Sequence, residues 1–349
     1  MRIRPLVALA TLALLGSSCS LANEDDKSDD AAPGECGDVV LVTHDSFDLP
    51  KKLVAAFEKE SGCSLTHSPA GDGGELTSKL TVTQGDPIGD VAFGVDNTFA
   101  GAALEAGVFA PYDADLPSGA DQYLLEGDDE GVLTPVDNAS VCVNVDTAWF
   151  ADNDLEPPTT LDDLVDPAYR DLFVTPAATT STPGLAFLLA TIGEYDDDWV
   201  AYWEDLVANG AKVVKGWEDA YYVDFTFSGG DRPIVLSYDT SPAYTVAEGE
   251  SSTAALLDTC FRQVEYAGVL EGAANPEGAE RVIDFLLGPE VQAALPTSMY
   301  VFPVDADATL PPEWAQFAEQ PAAPIEVPAA DISEHRREWL MEWTDITSS

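Results

Sequence analysis

Residues 39–62 read VVLVTHDSFDLPKKLVAAFEKESG, and this stretch decides the fold. Residues 39–43 form a continuous apolar run, which is typical of a strand buried on both faces. Asp48 is a suitable cap for a helix after it, and Gly62 is a natural stop for that helix. A buried strand followed directly by an amphipathic helix is the repeating unit of an α/β protein with a parallel sheet.

The same alternation continues along the chain. Residues 64–67 and 90–94 are predicted strands, and residues 75–82 and 98–106 are predicted helices. This order predicts a doubly wound parallel sheet, in which ligands bind near the carboxyl ends of the strands. Asp96 follows the third strand, and we expect it to cap the next helix.

Two long apolar segments break this alternation, LTPVDNASVCVNV at residues 133–145 and FRQVEYAGV at residues 261–269. We interpret them as the outward and return crossings between two lobes. Two α/β lobes joined by two crossing strands form a hinge with a cleft that closes around a solute. The other predicted elements are helices near 161–165, 184–193, 197–208, 276–287, 289–295 and 333–343, and strands at 212–214 and 234–236.

The predicted domain boundaries follow from these crossings. The first lobe comprises residues 36–138 and 266–330, and the second lobe comprises residues 139–265. Residues 331–349 form a C-terminal helix whose apolar side chains pack onto the body.

The N-terminus, MRIRPLVALATLALLGSSCS, has the layout of an export signal. Two arginines precede an apolar run, which is shorter than the roughly 20 residues of a spanning helix. We expect residues 1–18 to be a signal peptide and Cys19 to carry a lipid that anchors the exported protein to the outer face of the cell membrane. Residues 19–35 then form a flexible acidic tether. The alternative is ordinary cleavage with Cys19 discarded, which would leave a periplasmic protein.

Without Cys19 the chain has four cysteines, Cys36, Cys63, Cys142 and Cys260. An even number in an exported chain indicates two disulfides, with three possible connectivities. Cys36 and Cys63 each precede a predicted strand, and neighbouring parallel strands start side by side. We therefore prefer the pair Cys36–Cys63, and Cys142–Cys260 follows by elimination.

The charge of the chain excludes one class of function. There are 63 acidic and 15 basic residues, a formal net charge of −48, which repels the phosphates of nucleic acids.

The catalytic patterns HExxH, GxSxG and GxxxxGK followed by Ser or Thr do not occur in the sequence, and the cysteine spacings fit no zinc motif. We expect a monomeric binding protein and neither an enzyme nor a metal or cofactor site.

Two segments concentrate aromatic rings beside carboxylates and hydroxyls, KGWEDAYYVDF at residues 215–225 and IVLSYDTSPAY at residues 234–244. A flat, partly cationic organic ligand suits this mixture, because aromatic faces attract positive charge and short polar groups orient the ligand. Packing in a hydrophobic core is the alternative role for these rings.

Seven short motifs, taken in order, resemble the thiamine-binding proteins of bacterial ABC transporters, and the resemblance extends over residues 39–343. It implies a type II periplasmic-binding-protein fold, with thiamine or its phosphates held between the lobes and delivered to permease subunits. No covalent step and no cofactor are implied. The motifs are THDSF at 43–47, GDGGEL at 71–76, GVDN at 94–97, TSTPG at 180–184, KGWEDAY at 215–221, LSYDTSPAY at 236–244 and PTSMYVFPV at 296–304.

Matched position by position, the resemblance implies a set of ligand contacts and pocket walls. The chain departs from the family at three of them: His44 stands where Tyr is common, Tyr300 where Trp is frequent, and Asp239 where a hydroxyl residue is usual. These departures bear on fine specificity, including thiamine against its diphosphate. The implied residues are His44, Asp45, Asp72, Gly73, Ser181, Thr182, Trp217, Tyr221, Tyr238, Asp239, Thr240, Ser241, Tyr244 and Tyr300.

The chemistry of these residue types agrees with such a ligand. Trp217 and Tyr238 can attract the permanent positive charge of a thiazolium ring, and Asp72 can pair with an aminopyrimidine. Ser181 and Thr182 precede Pro-Gly at a predicted helix start, which suits a phosphate or hydroxyethyl tail. The alternatives are helix capping for this Ser-Thr pair and a glycine-rich turn for the segment around Asp72.

Three other functions remain open at this point. The same fold could hold a polyamine, which would need several carboxylates in the cleft, or ferric ion, which would need clustered Tyr, His or carboxylate ligands. An exported enzyme acting on thiamine is a third possibility. It would need a reactive group, and a free Cys142 or Cys260 would be the sign of it.

Overall fold

The structure, a computed structural model, describes residues 36–348, so the predicted signal peptide, Cys19 and the acidic tether lie outside the described residues. Labelled in chain order, the strands are β1 Gly37–Thr43, β2 Cys63–Pro69, β3 Val91–Asp96, β4 Phe109–Ala110, β5 Thr134–Asp146, β6 Phe173–Pro176, β7 Lys212–Val214, β8 Ile234–Tyr238, β9 Val246–Ala247, β10 Glu250–Ser251, β11 Thr253–Ala255, β12 Phe261–Leu270 and β13 Phe302–Pro303.

The α-helices are α1 Lys51–Ser61, α2 Gly73–Val82, α3 Ala100–Glu105, α4 Thr147–Asp152, α5 Thr182–Tyr195, α6 Trp199–Ala208, α7 Ser241–Tyr244, α8 Pro276–Leu287, α9 Pro289–Gln292, α10 Leu295–Ser298, α11 Trp314–Phe317 and α12 Ala329–Thr347. Short 3-10 turns lie at Ala120–Tyr123, Asp162–Val165, Pro167–Tyr169, Asp196–Asp198, Thr226–Ser228 and Leu257–Thr259, and a π-helical turn at Asp219–Asp224.

Within residues 36–348, eleven strands form one mixed sheet, whose main path runs β2-β1-β3-β12-β5-β8-β6-β7. At one end β1 is parallel to β2 and β3, and at the other β6 is parallel to β7 and β8. Between them β5 and β12 run antiparallel to each other. The chain therefore forms two α/β lobes joined by two crossing strands with a cleft between them, which confirms the predicted fold class.

Each parallel part of the sheet has its own core. In the first lobe, apolar side chains pack on both faces of β1 and β3, with Leu41 and Phe93 on one face and Val42 and Val95 on the other. In the second lobe a separate core forms around α5 and α6, centred on Trp203. Two cores with the crossing strands between them provide two rigid bodies and a hinge.

The C-terminal helix α12 contacts elements on both sides of that hinge. The Trp343 ring packs edge-on against Trp203 of α6, with ring centroids 5.6 Å apart. The Arg336 guanidinium lies 5.4 Å from the centre of the Phe99 ring, just before α3. The lobe boundaries given by residue number above stay a prediction.

Several local expectations need correction. Asp48 does not cap α1, because the helix starts one turn later, after Pro50, and no side chain caps it. Gly62 does end α1, with a φ of 73° that glycine adopts without strain. The predicted helix at 289–295 is two helices, since Pro296 has no N–H with which to continue the first.

Both preferred disulfides are confirmed. Cys36–Cys63 joins the starts of the adjacent parallel strands β1 and β2, with a Cα–Cα distance of 4.4 Å. Cys142–Cys260 joins β5 to the residue before β12, with a Cα–Cα distance of 4.2 Å. The second bond therefore ties the two crossing strands together beside the hinge. Among residues 36–348, the helices are all too short or too polar to span a bilayer.

Candidate functional site

A cavity of about 420 Å³ lies between the lobes, which is within the usual range for sites that enclose small organic molecules. The first lobe contributes the loop after β1 and the start of α2. The second contributes the start of α5, the loop after β7 and the end of β8. The crossing strand β12 forms part of the wall, and residues 298–301 complete it. The cavity thus occupies the place that the hinge geometry predicts.

Aromatic rings from distant parts of the second lobe meet in this cavity. Trp217 is stacked on Tyr221, with ring centroids 5.1 Å apart and planes at 20°. Tyr238, from the end of β8, lies edge-on to Trp217 at 6.0 Å, and Tyr222 does so at 5.2 Å. The π-helical turn over Asp219–Asp224 places the two adjacent tyrosines against one indole. The rings line the cavity, although Tyr221 also packs in the core beneath it.

A second ring pair extends this surface. The rings of Tyr244 and Tyr300 are 5.0 Å apart and nearly perpendicular. Trp217 is also fixed at its polar edge, because its Nε1 donates to the hydroxyl of Ser237 at 3.0 Å. We name the six rings the aromatic wall; they belong to Trp217, Tyr221, Tyr222, Tyr238, Tyr244 and Tyr300. A wall of this kind offers flat apolar faces that attract a cationic ring.

Asp72 sits where the two lobes touch. Its carboxylate accepts hydrogen bonds from the backbone N–H of Gly73 at 2.7 Å, of Trp217 at 2.9 Å and of Thr182 at 3.3 Å. Burial raises the pKa of Asp72, and the N–H donors of Trp217 and Gly73 oppose that rise. Because Thr182 and Trp217 belong to the second lobe, Asp72 connects the lobes as well as lining the cavity.

Asp96 makes a second connection between the lobes. One carboxylate oxygen accepts from the backbone N–H and the hydroxyl of Thr98, and the other accepts from the hydroxyl of Thr182. Burial raises the pKa of Asp96 to about 6. The expectation that Asp96 caps the next helix is wrong, because its carboxylate bonds the turn before α3 and the opposite lobe instead.

The glycine at position 73 allows this close approach. A Cβ atom added to Gly73 would lie 2.0 Å from the Thr182 hydroxyl, far inside contact distance. Glycine is therefore needed here for steric reasons at the lobe interface. A glycine-rich turn and a place at the cavity were alternatives for the segment around Asp72. In the structure this segment is a turn that also lines the cavity, so the alternatives are not exclusive.

His44 and Asp45 lie at the end of β1 and line the cavity. The Asp45 carboxylate accepts from the backbone N–H of Gly71 at 2.8 Å. His44 Nε2 lies 3.4 Å from an Oε1 atom of Glu265, in the crossing strand β12. Burial acts to lower the pKa of His44, yet Glu265, Asp72 and Asp45 together raise it above its ordinary value.

Sequence reasoning missed Glu265 as a site residue. It lines the cavity, and Asp137 lies opposite it on β5. The signal was present, because FRQVEYAGV places a carboxylate in a segment otherwise suited to a buried strand, and buried carboxylates need a partner or a role. The segment was assigned only as a crossing strand.

The hydroxyl residues after β8 help to hold the wall. Thr240 donates to the backbone carbonyl of Tyr300 at 2.6 Å, and the Ser241 hydroxyl accepts from the backbone N–H of Tyr238 at 3.1 Å. Both residues line the cavity, as does Thr182 at the start of α5.

Two of the implied residues, Asp239 and Ser181, are buried behind the cavity surface. Asp239 turns toward β5, where one carboxylate oxygen accepts from the backbone N–H of Ser140 at 3.0 Å. Burial raises the pKa of Asp239 to about 7. In this structure, ligand contacts at Asp239 and Ser181 would need rearrangement of the pocket wall.

The structure also bears on the alternative functions. In the described range, 36–348, there is no group of three or more His, Cys, Asp or Glu side chains placed to hold a metal ion. Cys142 and Cys260 form a disulfide, so neither supplies the free thiol that an enzyme reading would require.

Comparison with known proteins gives a consistent picture. The family model described as "Bacterial extracellular solute-binding protein" matches residues 86–324. The "Thiamine-binding periplasmic protein" of Escherichia coli (strain K12) is 32% identical over 324 residues, covering 89% of this chain and 93% of the relative. The protein of the same name from Brucella melitensis is 30% identical over 323 residues, covering 89% and 92%.

Solved structures agree with these relatives. A structure titled "Periplasmic thiamin binding protein" has a TM-score of 0.79 and 29% identity, covering 89% of this chain and 96% of the other. A ferric binding protein from Campylobacter jejuni has a TM-score of 0.68 at 16% identity, covering 88% and 99%, and shares the fold alone. The relatives are binding proteins for a solute rather than enzymes or cofactor-dependent proteins. Since the family model and these relatives match most of the chain, it belongs to the bacterial extracellular solute-binding proteins.

Proposed function

We propose that this protein captures thiamine or one of its phosphates between its two lobes and delivers it to the permease of an ABC transporter. The observation that carries the proposal is the aromatic wall at the lobe interface, in a chain 32% identical to a thiamine-binding periplasmic protein. Thiazolium and aminopyrimidine are flat rings, one of them permanently cationic, and stacked indole and phenol faces suit both.

The proposed contacts divide by chemistry. The aromatic wall takes the rings, and the carboxylates Asp45, Asp72 and Glu265 supply negative charge at the cavity surface. Thr182, Thr240 and Ser241 supply hydroxyls for the polar tail of the ligand. Because the backbone N–H of Thr182 already donates to Asp72, a phosphate at the start of α5 would compete with that carboxylate.

Titration calorimetry tests the proposal. Protein lacking residues 1–35 is titrated with thiamine, thiamine monophosphate, thiamine diphosphate, spermidine and ferric citrate, and tryptophan fluorescence is recorded in parallel. We expect saturable heat and quenching of the tryptophan fluorescence with at least one thiamine form. Saturable binding of spermidine or ferric ion alone would replace thiamine with that solute, and no heat with any thiamine form would end the proposal.

We also propose that Cys19 carries the lipid that keeps the protein at the outer face of the membrane, for the reasons of sequence given above. Expression of the full chain and of Cys19→Ala in a bacterial host with labelled palmitate tests this. The full chain should incorporate label and sediment with membranes, whereas the variant should remain unlabelled. Equal distribution of the two would show that Cys19 is not the anchor.

A further inference from the structure

We propose that Glu265 is the residue that selects a cationic ligand, and that His44 is the internal counter-ion that neutralises Glu265 while the cleft holds no cation. The inference deepens the proposed function and rests on it. It assigns a role in specificity to a residue of the crossing strand β12, and it predicts that binding of a cation releases protons.

The position of Glu265 is the first support. Its side chain is 7% exposed, and it lines the cavity from the crossing strand β12. Tyr238, a member of the aromatic wall, also lies near Glu265. Burial is the main cause that raises the pKa of the Tyr238 phenol, and the charge of Glu265 is the next. A cationic ring lying against the wall would therefore come close to a nearly desolvated carboxylate, where charge interactions are strong.

His44 is the basic group that faces Glu265 in this structure. Its ring is 12% exposed, and its Nε2 lies 3.4 Å from Glu265 Oε1 without forming a well-aligned hydrogen bond. The Nε2 atom of His44 is therefore not committed to a hydrogen bond with Glu265. The loose pair is suited to being exchanged for a ligand cation.

The titratable groups around His44 determine whether its charged or its neutral form is favoured. On the first lobe, Asp45 and Asp72 face His44 and favour its charged form, while His67 of β2 is a nearby weak base. Asp96 of β3 lies close enough to Glu265 for the two carboxyl groups to interact. His44 is therefore surrounded mainly by acidic groups.

Asp137 lies opposite Glu265 on the neighbouring crossing strand β5. It is fully buried opposite Glu265, and neither of its carboxylate oxygens has a hydrogen-bond partner within the described part of the chain. Burial, reinforced by the charge of Glu265, raises the pKa of Asp137 well above its ordinary value. A protonated Asp137 has an O–H that can donate to the Glu265 carboxylate across the strand pair.

Binding of a cation beside Glu265 should change the number of protons that the protein holds. When a cation enters beside Glu265, the charge on His44 becomes unfavourable, because two positive charges then compete for one carboxylate. His44 releases its proton, so binding of a cation should release protons to the buffer near neutral pH, and affinity should fall as the pH is lowered from 8 to 6.

The test compares thiamine with a neutral analogue in which thiophene replaces the thiazolium ring, using Glu265→Gln and the wild type. We expect Glu265→Gln to weaken thiamine binding by about 10- to 100-fold, the range for a charged partner, and analogue binding by less than about threefold. Glu271→Gln removes the same charge at an exposed position after β12 and should change neither. Equal losses for both ligands would overturn the inference.

Proton release is the second readout and does not depend on the stability of Glu265→Gln. Calorimetry in buffers of different ionisation enthalpy should show release of up to about one proton per thiamine in the wild type at pH 6.5–7. It should show almost none in His44→Gln, measured at thiamine concentrations that saturate this variant. Proton release that is the same in both proteins would overturn the role of His44. If wild-type protein binds neither ligand, the proposed function fails and the inference falls with it.

Discussion

The carboxylate of Asp72, at the start of α2, accepts a hydrogen bond of 2.9 Å from the backbone N–H of Trp217 in the opposite lobe. One short side chain thus fixes the backbone that presents the main stacking ring, and it does so across the cleft. The ion pair of Lys215 with Glu75, at 3.0 Å, lies beside it. The lobes therefore contact each other across the cleft in this structure, and the same residues make this contact and line the cavity.

Removal of the Asp72 carboxylate should loosen the closed form. We expect Asp72→Ala to accelerate thiamine dissociation and to weaken binding by at least about tenfold, since three N–H groups lose their acceptor. Stopped-flow fluorescence measures the rate, and small-angle scattering should show a more open ligand-free protein. Asp86→Ala, in an exposed turn after α2, is the control. Unchanged dissociation would refute the role of Asp72 in closure.

Gly73→Ala should block closure without harming the fold. The new methyl group would lie 2.0 Å from the Thr182 hydroxyl, which is held by Asp96. Because the backbone of Gly73, at the first position of α2, is not in the left-handed region, alanine can adopt it without strain, so the melting temperature of the ligand-free variant should stay close to that of the wild type. Thiamine affinity should fall by more than about tenfold. Full affinity at wild-type stability would contradict the steric argument.

Trp217 should dominate the affinity for a flat ligand. We expect Trp217→Ala to weaken thiamine binding by roughly 2–4 kcal/mol, the scale of an interface hot spot. Trp217→Phe keeps a stacking face but loses the Nε1 hydrogen bond to Ser237, so its loss should be intermediate. Calorimetry of the three proteins gives the comparison. A loss below about tenfold for the alanine variant would exclude Trp217 as a stacking wall.

Buried Asp239 should make the protein less stable as the pH rises. Its pKa is about 7 in the folded state against about 3.9 in an unfolded chain. The folded state therefore holds the proton more tightly, so the stabilising effect is complete below about pH 4 and is lost as the pH rises through 7. Urea unfolding between pH 4.5 and 8 should show a smaller decline for Asp239→Asn than for the wild type. Parallel declines would argue against a raised pKa.

The aromatic segments show how far sequence reasoning reached into the site. KGWEDAYYVDF and IVLSYDTSPAY were recognisable as ring-rich segments, and the structure brings their rings together in the cavity. Core packing and ligand binding were posed as alternatives, but Tyr221 packs in the core and also lines the cavity. The Tyr221 ring is only 2% exposed and stacks on Trp217 at the edge of the cavity, a position that a linear pattern does not distinguish from the core.

The acidic residues show what could not be predicted from the sequence. Asp72, Asp96 and Asp239 all follow or precede regular elements and look alike in sequence, yet their partners are Trp217, Thr182 and Ser140 respectively. Glu265 looked like an ordinary strand position. Which carboxylate faces the cleft depends on partners that lie far away in the chain.

The sequence alone determined the α/β class, the two crossing strands, the expectation of two disulfides and the ring-rich segments, because these follow from apolar periodicity, cysteine count and residue type within short windows. Tertiary structure decided which carboxylates join the lobes, which of them line the cavity and which face His44. Electrostatics and hydrogen bonding act between groups a few ångströms apart in space, and only the packed hinge brings β5, β12 and the two lobes to those distances.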